Sequence, residues 1–344
     1  MDETAVPSVT IRSDLCKRDG LCVKLCPVRA FAAESGEPPT THHLEECCLC
    51  GQCAAGCPSG AIVHSAFDSD RLRRIETRTP ATAEAVEAFL TQRRSVRNYR
   101  KEPPPKELLE RVVSLAGYAP GSPHHRVGWT RSFTIVVGEE MMSEVRAATV
   151  DYIRRIHKLV SSWALRLAAR FDDSAKRGLG VAPDLTMRLA EWESGRDAIT
   201  YNAPAAIFAH APVSSSLPQV DCDAAMLYVI LAAESHGLGT CWNGLLQDAA
   251  AGAYLRRFDW LAKLLGIPAG HRCYAAATIG YPAVRLHSVP RRDVAVTWIG
   301  RQEGIRCKSR RTPDEANSLT AFLIVEMRGG DLDRPPAAHT RRMT

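Results

Sequence analysis

Cysteine runs dominate the first part of the chain, where eight of its twelve cysteines lie between Cys16 and Cys57. The second run, CCLCGQCAAGCP, contains a complete CxxCxxCxxxCP pattern. Three thiolates at three-residue intervals can surround one face of an iron–sulfur cluster, and the fourth, before proline, serves the other cluster in two-cluster proteins. The spacing therefore predicts iron–sulfur ligation by Cys47, Cys50, Cys53 and Cys57.

The first run, CKRDGLCVKLCP, has the same form, except that Asp19 occupies the second ligand position. It supplies Cys16, Cys22 and Cys26, with either Asp19 or nothing as the fourth ligand. A carboxylate oxygen is a harder and more weakly held ligand of iron than a thiolate, so ligation by Asp19 would leave one iron exchangeable. Zinc is the alternative metal, although zinc sites usually pair two CxxC knuckles. Cys48 lies outside the pattern and is expected to be a spare thiol.

A second chemical cluster is basic. The stretch TQRRSVRNY places Arg93, Arg94, Ser95 and Arg97 at the end of a short helical segment. Three cations and a hydroxyl within five residues can hold a phosphate by charge-assisted hydrogen bonds and leave one guanidinium free for a ring carbonyl. A charge run of this kind is more often a solvated surface, so its meaning depends on motifs further along the chain.

The composition limits where these clusters can act. Clustered thiols favour metal ligation over disulfide bonds, because a reducing compartment keeps them available. The chain has no run of about 18 apolar residues, and Asp2 and Glu3 stand where a signal peptide would carry bases. No stripe of bases and aromatic residues predicts nucleic-acid binding, despite a net charge of +6. We therefore expect a cytoplasmic protein with neither a membrane nor a nucleic-acid partner.

Helices and strands that position the clusters follow from the apolar pattern. PPKELLERVVSLAGYAP predicts an amphipathic helix that ends before Pro120. SFTIVVG, APAAIFAHAP and CYAAATIGYP predict core strands. Residues 139–193 predict helices interrupted around GLGVAP, and CDAAMLYVILAAESHGLG predicts a buried helix with a glycine cap. The order predicts an α+β class, with a sheet flanked by helices.

Four segments emerge along the chain. Residues 1–66 form a cysteine-rich module, and residues 67–82 are charged and poor in large apolar residues, as is typical of a linker. Residues 83–300 form the mixed domain. Residues 301–344 are expected to be a partly disordered tail, because the segment is polar at both ends.

Taken together, these motifs resemble the nitroreductase family of FMN enzymes, in particular members with an N-terminal ferredoxin module of the bacterial two-cluster type. RRSVR resembles the family's first flavin motif, and APGSPHHRVGW resembles its second segment. DCDAAMLYVILAAESHGLGTCWNG resembles the central helix and flavin loop, and LGIPAGHRCYAAATIGYPAVRLHSVPRR the closing motif. The resemblance implies an antiparallel-type mixed sheet flanked by helices, a small domain for two [4Fe–4S] clusters, and a homodimer.

The resemblance also assigns roles to residues. It implies one cluster on Cys47, Cys50, Cys53 and Cys26, and a second on Cys16, Cys22, Cys57 and either Asp19 or nothing, the second as [4Fe–4S] or [3Fe–4S]. It implies that Arg93 and Ser95 bind the FMN phosphate, with Arg94 nearby and Arg97 at the pyrimidine edge of the ring. The other implied flavin contacts are Trp242, Asn243, Gly244 and Arg291, together with His124, which stands where the family commonly has Asn. No side-chain nucleophile is required, and His124 and His125 are the candidate proton donors.

These cofactors predict an FMN-dependent oxidoreductase that passes electrons from iron–sulfur clusters to FMN and reduces a small acceptor such as a nitro compound or a quinone. Two alternatives stay open: an electron-transfer protein that serves a partner protein, and an oxidative or dehydrogenating member of the same fold. The electron donor is expected to be a donor protein or NAD(P)H.

Overall fold

A computed structural model describes residues 6–67, 72, 75, 81–122, 131–255, 258–291, 293–297, 308–309 and 323–324. The chain divides into two compact units, Met1–His287 and Ser288–Thr344. The domain boundaries drawn from the sequence at 66, 82 and 300 fall elsewhere and stay predictions. Among the described residues, no helix is both long enough and apolar enough to cross a lipid bilayer.

The cysteine-rich part of the first unit consists of short elements around a small core. It contains two short helices and two pairs of antiparallel strands, β1 with β4 and β2 with β3. The elements are β1 Val9–Ile11, α1 Leu21–Leu25, β2 Phe31–Ala32, β3 Thr40–Thr41, a 3₁₀ turn Leu44–Glu46, α2 Gln52–Gly56 and β4 Ile62–His64.

The rest of the first unit, from residue 83, alternates helices with longer strands. The elements are α3 Ala83–Gln92, α4 Lys106–Ser114, a 3₁₀ turn Leu115–Tyr118, β5 Ser132–Val137, α5 Glu139–Val160, α6 Trp163–Ala168, α7 Asp173–Glu193, β6 Ala205–Pro212, α8 Pro218–Ser235, β7 Gly239–Trp242, α9 Gly244–Ala251, α10 Trp260–Leu264 and β8 His271–Gly280. In the second unit, β9 Lys308–Ser309 pairs antiparallel with β10 Leu323–Ile324.

Four strands form the central sheet in the order β5-β6-β8-β7, and every neighbouring pair is antiparallel. A parallel bridge between Ser95 and Thr240 adds a short segment beyond β7 and makes the sheet mixed. The α+β class with a mixed sheet flanked by helices is thereby confirmed, as are the three predicted strands, which became β5, β6 and β8.

Both faces of the sheet are buried. Along β6, Ala206 and Phe208 face a core shared with α5, α9 and α10, whereas Ile207 and its alternating neighbours face a core shared with α4 and α8. A strand that is buried on both faces cannot alternate apolar with polar residues. This explains why APAAIFAHAP is apolar throughout and rich in alanine, which lets helices pack closely.

The predicted helix break around GLGVAP was wrong. Helix α7 continues through this stretch with Pro183 inside it, and the chain breaks instead after α5 and after α6. The first break occurs where the Ser162 hydroxyl accepts a hydrogen bond from the Leu165 amide and caps α6. Packing against α5 compensates α7 for the donor that proline lacks: Leu185 is buried, and His157 Nε2 lies 2.9 Å from Thr186 Oγ1.

Helix α8 confirms the predicted buried helix with its glycine cap. Ala225, Met226 and Val229 are fully buried in its interior face. Gly237 follows the helix with a positive φ of 71°, and the Leu238 amide returns to the Ala233 carbonyl at 2.9 Å. This Schellman-type ending leads the chain directly into β7.

A close approach of two backbones sets the edge of the sheet. The Val96 amide donates to the Thr240 carbonyl at 2.9 Å, so residues 95–96 run alongside β7. A Cβ added to Gly239 would lie 2.5 Å from Val96 Cγ2 and 2.8 Å from its Cβ. Glycine at position 239 is therefore required by space rather than by backbone conformation.

Gly239→Ala should lower the free energy of unfolding by about 1–3 kcal/mol, because Val96 must move away from the strand. Gly180→Ala is the matched control, since an added Cβ in this exposed part of α7 meets nothing within 4 Å. Gly180→Ala should raise the free energy of unfolding by about 0.5–1 kcal/mol. Urea denaturation of both variants measures the difference, and an unchanged stability of Gly239→Ala would contradict the close approach.

Candidate functional site

The two cysteine runs fold into the same backbone shape. Helices α1 and α2 each follow a left-handed glycine, Gly20 with φ 67° and Gly51 with φ 70°. Each helix ends at the last cysteine of its run, Cys26 or Cys57, in an extended conformation. The two runs align without a gap: Gly51 is as far along the chain from Gly20 as Cys47 is from Cys16. The two runs therefore repeat in backbone conformation as well as in sequence. Corresponding side chains of the two runs start from the same backbone geometry.

The ligand positions line two separate pockets in this module. The first, here called the all-thiol pocket, is lined by Cys26, Cys47, Cys50 and Cys53. The second, the Asp19 pocket, is lined by Cys16, Asp19, Cys22 and Cys57. In each pocket one cysteine comes from the opposite run, Cys26 in the first and Cys57 in the second. These are the two sets that the resemblance implies.

Backbone amides point at several of these side chains. The Ala30 amide donates to Cys26 Sγ at 3.2 Å, and the equivalent Ala61 amide donates to Cys57 Sγ at 3.3 Å. The Arg18 amide donates to Cys16 Sγ at 3.4 Å. Asp19 Oδ1 accepts from the Leu21 amide at 3.1 Å at the start of α1. Amide donors of this kind stabilise negative charge on sulfur and oxygen ligands.

The pKa values of the thiols depend on burial and on the neighbouring thiols. Burial, together with the neighbouring thiolates of Cys50, Cys47 and Cys26, raises the pKa of Cys53 to about 11. Burial likewise raises the pKa of Cys22, with smaller contributions from Cys16 and Cys57. Both of these thiols are therefore influenced by members of their own pocket.

Two further features of the module concern metals. Cys48, expected to be a spare thiol, is buried and lines the all-thiol pocket beside Cys47 and Cys50. Burial, together with the neighbouring Cys50, raises its pKa to about 11. In the described part of the chain, no group of three or more His, Cys, Asp or Glu side chains is arranged to hold a single metal ion. The iron–sulfur clusters accordingly stay a proposal.

In the large domain, the basic segment lies along the edge of the sheet. Arg93 ends α3, and Ser95 forms the parallel bridge to Thr240. Tyr99 fixes the other end of the segment: its hydroxyl lies 2.9 Å from Thr278 Oγ1 on β8, and burial raises its pKa. The segment is thus held at both ends, and Arg93, Arg94, Ser95 and Arg97 share one edge of the sheet.

Two contacts to this segment could not be read from the spacing of its residues. The Arg97 guanidinium lies over the Tyr201 ring, 5.7 Å from its centroid, which is a cation–π distance. Glu234, near the end of α8, is close enough to Arg93 that the cation counteracts the rise in its pKa caused by burial. Tyr201 and Glu234 belong to segments more than 100 residues away along the chain.

Tyr201 has an unusual backbone. It and Asn202 both adopt left-handed conformations, with φ of 58° and 55°. The Asp197 carboxylate supports the turn by accepting hydrogen bonds from the amides of Ile199, Thr200 and Asn202 at 2.8–2.9 Å. Aspartate in such a turn is a recognisable sequence signal, so DAITYN could have predicted the turn but not its contact with Arg97.

The segment Trp242–Gly244 joins β7 to α9 near this edge. The Asn243 side chain caps α9 by accepting from the Leu246 amide at 3.1 Å, and its Nδ2 donates to the Ile199 carbonyl at 2.7 Å. Its backbone amide donates to the Ala276 carbonyl at 2.8 Å. Asn243 therefore fixes the loop through its own hydrogen bonds, whereas Trp242 remains 38% exposed and Gly244 begins the helix.

The contacts of three other predicted residues stay predictions. His124 and His125 lie outside the described residues. Arg291 belongs to the second unit, so its predicted phosphate contact stays a prediction.

Comparison with known proteins identifies the family. The model of the nitroreductase family matches residues 90–281, which is more than half of the chain. A nitroreductase with bound FMN from Bacteroides fragilis is 22% identical, with a TM-score of 0.45 over 62% of this chain and 98% of its own. An FMN-dependent nitroreductase from Clostridium difficile is 18% identical, with a TM-score of 0.45 over 63% of this chain and 100% of its own. Oxidized iodotyrosine deiodinase bound to FMN and 3-iodo-L-tyrosine is 20% identical, with a TM-score of 0.43 over 62% of this chain and 99% of its own. By the match over residues 90–281, the chain belongs to the nitroreductase family.

Proposed function

We propose that this protein is an FMN-dependent oxidoreductase that passes electrons from two iron–sulfur clusters to FMN and reduces a small acceptor, such as a nitro compound or a quinone. The observation that carries the proposal is the basic segment along β7, beside the loop that contains Trp242, in a chain of the nitroreductase family. When bound, FMN accepts a hydride or single electrons, whereas an iron–sulfur cluster carries one electron at a time.

The residues at the sheet edge fit an anionic flavin. Arg93, Arg94 and Ser95 offer two guanidinium groups and a hydroxyl, which can bind the phosphate through charge-assisted hydrogen bonds. Arg97 would lie at the pyrimidine edge of the ring, where a cation favours negative charge. The Arg93 cation offsets part of the rise in the pKa of Glu234 that burial causes, so the carboxylate is a nearby counter-charge for this guanidinium.

Tyr201 extends this arrangement. Its contact with the Arg97 guanidinium limits where that cation can move, and Asp197 fixes the turn that carries it. The Asn243 hydrogen bonds hold the Trp242 loop, so that the backbone of the loop does not have to be ordered when a ligand binds. The remaining task is to supply a proton to the substrate, for which His124 and His125 are the proposed donors.

The two pockets of the module fit iron–sulfur clusters. Each is lined by three or more cysteines and receives amide hydrogen bonds on sulfur. Buried thiols with raised pKa values are costly to ionise unless a cation is bound, because a bound metal inverts this preference. The Asp19 carboxylate, a harder donor, would make the second pocket the weaker iron site.

Two alternatives share these cofactors. An electron-transfer protein would pass electrons to a partner protein and reduce no small molecule, and an oxidative member of the fold would run the chemistry in the other direction. Dehalogenation belongs to the range of the fold, as the bound iodotyrosine in the deiodinase indicates for that protein. Turnover assays with nitroaromatic compounds and quinones, using reduced viologen and NAD(P)H as donors, separate the enzyme from the carrier.

A second copy of the chain is part of the proposal. Leu227 and Tyr228 on α8 are 48% and 38% exposed, although the same helix is buried on its other side. Apolar side chains grouped on an exposed face favour association, and family members commonly form homodimers.

Cofactor content tests the proposal directly. Anaerobically purified protein should contain one FMN and about eight irons and eight sulfides per chain, as two four-iron clusters require. The same preparation should sediment as a dimer. Cys50→Ser should lose about half of the iron, whereas Cys222→Ser, a buried cysteine of α8, should lose none. FMN without iron would overturn the electron relay and leave the flavin enzyme standing.

The role of Asp19 gives a separate prediction. The wild-type cluster in the Asp19 pocket should convert from [4Fe–4S] to [3Fe–4S] on mild oxidation and recover with added iron, because a carboxylate holds one iron weakly. Asp19→Cys should abolish the interconversion. EPR spectroscopy follows the oxidised three-iron form, and a wild type that never shows it would exclude Asp19 as a labile ligand.

Removal of one phosphate contact should weaken flavin binding. Arg93→Gln should raise the dissociation constant for FMN about tenfold to a hundredfold, since a hydrogen bond to a charged group contributes about 1.5–3 kcal/mol. Arg111→Gln, an exposed arginine on α4, is the matched control and should bind FMN like the wild type. Quenching of flavin fluorescence measures both constants, and equal affinities would contradict the phosphate role of Arg93.

A further inference from the structure

A buried histidine lies against the thiols of the all-thiol pocket. His64 is the last residue of β4, is 2% exposed and lines this pocket together with the four ligand positions. Its Nε2 lies 3.6 Å from Cys47 Sγ. The ligand pattern of the module includes no histidine, so the proposed function leaves His64 without a role.

A backbone hydrogen bond determines which ring nitrogen of His64 carries the proton. The Ala66 amide donates to His64 Nδ1 at 3.1 Å, and a nitrogen that accepts a hydrogen bond cannot carry a proton. A neutral imidazole with an unprotonated Nδ1 carries its proton on Nε2. The Nε2–H group is therefore the donor, and a Cys47 thiolate is the acceptor.

The Ala66 amide and the Phe67 ring hold the ring of His64 in this orientation, and strand pairing holds its backbone. His64 pairs with Val9 in the β1–β4 ladder, and the Phe67 ring lies edge-on to the imidazole, with centroids 5.1 Å apart. Phe67 in turn packs against Gly51, where an added Cβ would lie 3.1 Å from the ring. The donor is thus fixed before any metal binds, which is how residues around a metal ligand control it.

The internal repeat shows that this donor belongs to one pocket only. At the position equivalent to His64, the first run has Ala33, which has no side-chain donor. The Asp19 pocket has a different side-chain contact instead: Ser59 Oγ lies 3.6 Å from Cys57 Sγ. The two pockets therefore share their backbone and differ in the side chains beside their sulfurs.

We propose that His64 is a positioning residue that donates a hydrogen bond from Nε2 to the Cys47 thiolate and raises the reduction potential of an iron–sulfur cluster in the all-thiol pocket. The proposal rests on the iron–sulfur part of the proposed function. Reduction adds negative charge that the ligand sulfurs share, and a fixed donor stabilises the more negative state. The all-thiol pocket is then the one where an electron that enters the module resides.

The test is an EPR-monitored redox titration of the full-length protein, purified anaerobically. His64→Val removes the donor and keeps a residue suited to a strand. It should make reduction of one cluster about tenfold less favourable, a shift of about 59 mV to lower potential for one electron. The midpoint potential of His64→Gln, which retains an N–H donor, should lie between those of the wild type and His64→Val. An unchanged midpoint in His64→Val with wild-type iron and sulfide would overturn the proposal.

Ser59→Ala is the matched control, because it removes a side-chain contact from the other pocket. It should leave the midpoint that responds to His64→Val unchanged; a shift of that same midpoint would contradict the assignment to the all-thiol pocket. Iron analysis of the wild type separates the two levels of inference. A protein without iron refutes the proposed relay itself, whereas two intact clusters with no response to position 64 refute only the role of His64.

A measurement on the wild type keeps the test independent of the variants. Protein labelled with ¹⁵N-histidine should show a weak nitrogen coupling to one reduced cluster in pulsed EPR, as a hydrogen bond to a ligand sulfur requires. A strong coupling would make His64 an iron ligand rather than a donor to Cys47. The absence of any coupling would exclude the hydrogen bond.

Discussion

The pairing of residues 95–96 with the edge of β7 is the contact on which the basic site depends. It brings Val96 so close to Gly239 that no side chain fits there, and the Tyr99 hydroxyl fixes the segment again at Thr278. Three arginines within five residues would repel one another and disperse in a flexible loop. Held along one strand, they create a local excess of positive charge, which is the property an anionic ligand requires.

The cysteine module also brings groups of like charge together, but here the charge is negative and the groups are thiolates. Its left-handed positions repeat in both halves and turn the backbone so that amides of Ala30 and Ala61 face sulfur. The thiols are buried near one another, which raises the pKa values of Cys22 and Cys53 and makes the ionised set costly without a cation. Each site therefore holds groups of like charge together, arginines in one and thiolates in the other. Each suits a ligand of the opposite charge.

Where the sequence misled, long-range packing outweighed a local signal. Pro183 is a strong helix breaker, yet packing between α7 and α5 keeps the helix continuous. The sequence does not predict β7, because a strand of only four residues has no periodicity to detect. Strands β6 and β8 were recognisable because burial on both faces leaves a continuous apolar run. The partly exposed edge strand β5 was recognisable from its β-branched residues.

The chemistry available at each site follows from residue order alone: the spacing of the cysteines, the Asp19 that replaces one of them, and the group of three arginines. Spacing and residue type are local properties, so they survive without knowledge of the fold. Which residues contact one another at these sites depends on the tertiary structure. Tyr201 contacts Arg97, and His64 faces Cys47, across chain separations that no local pattern encodes. The physical reason is that these contacts form only when the intervening loops close, which costs conformational entropy. Burial of the whole core offsets that cost, so no local pattern of residues can predict the contacts.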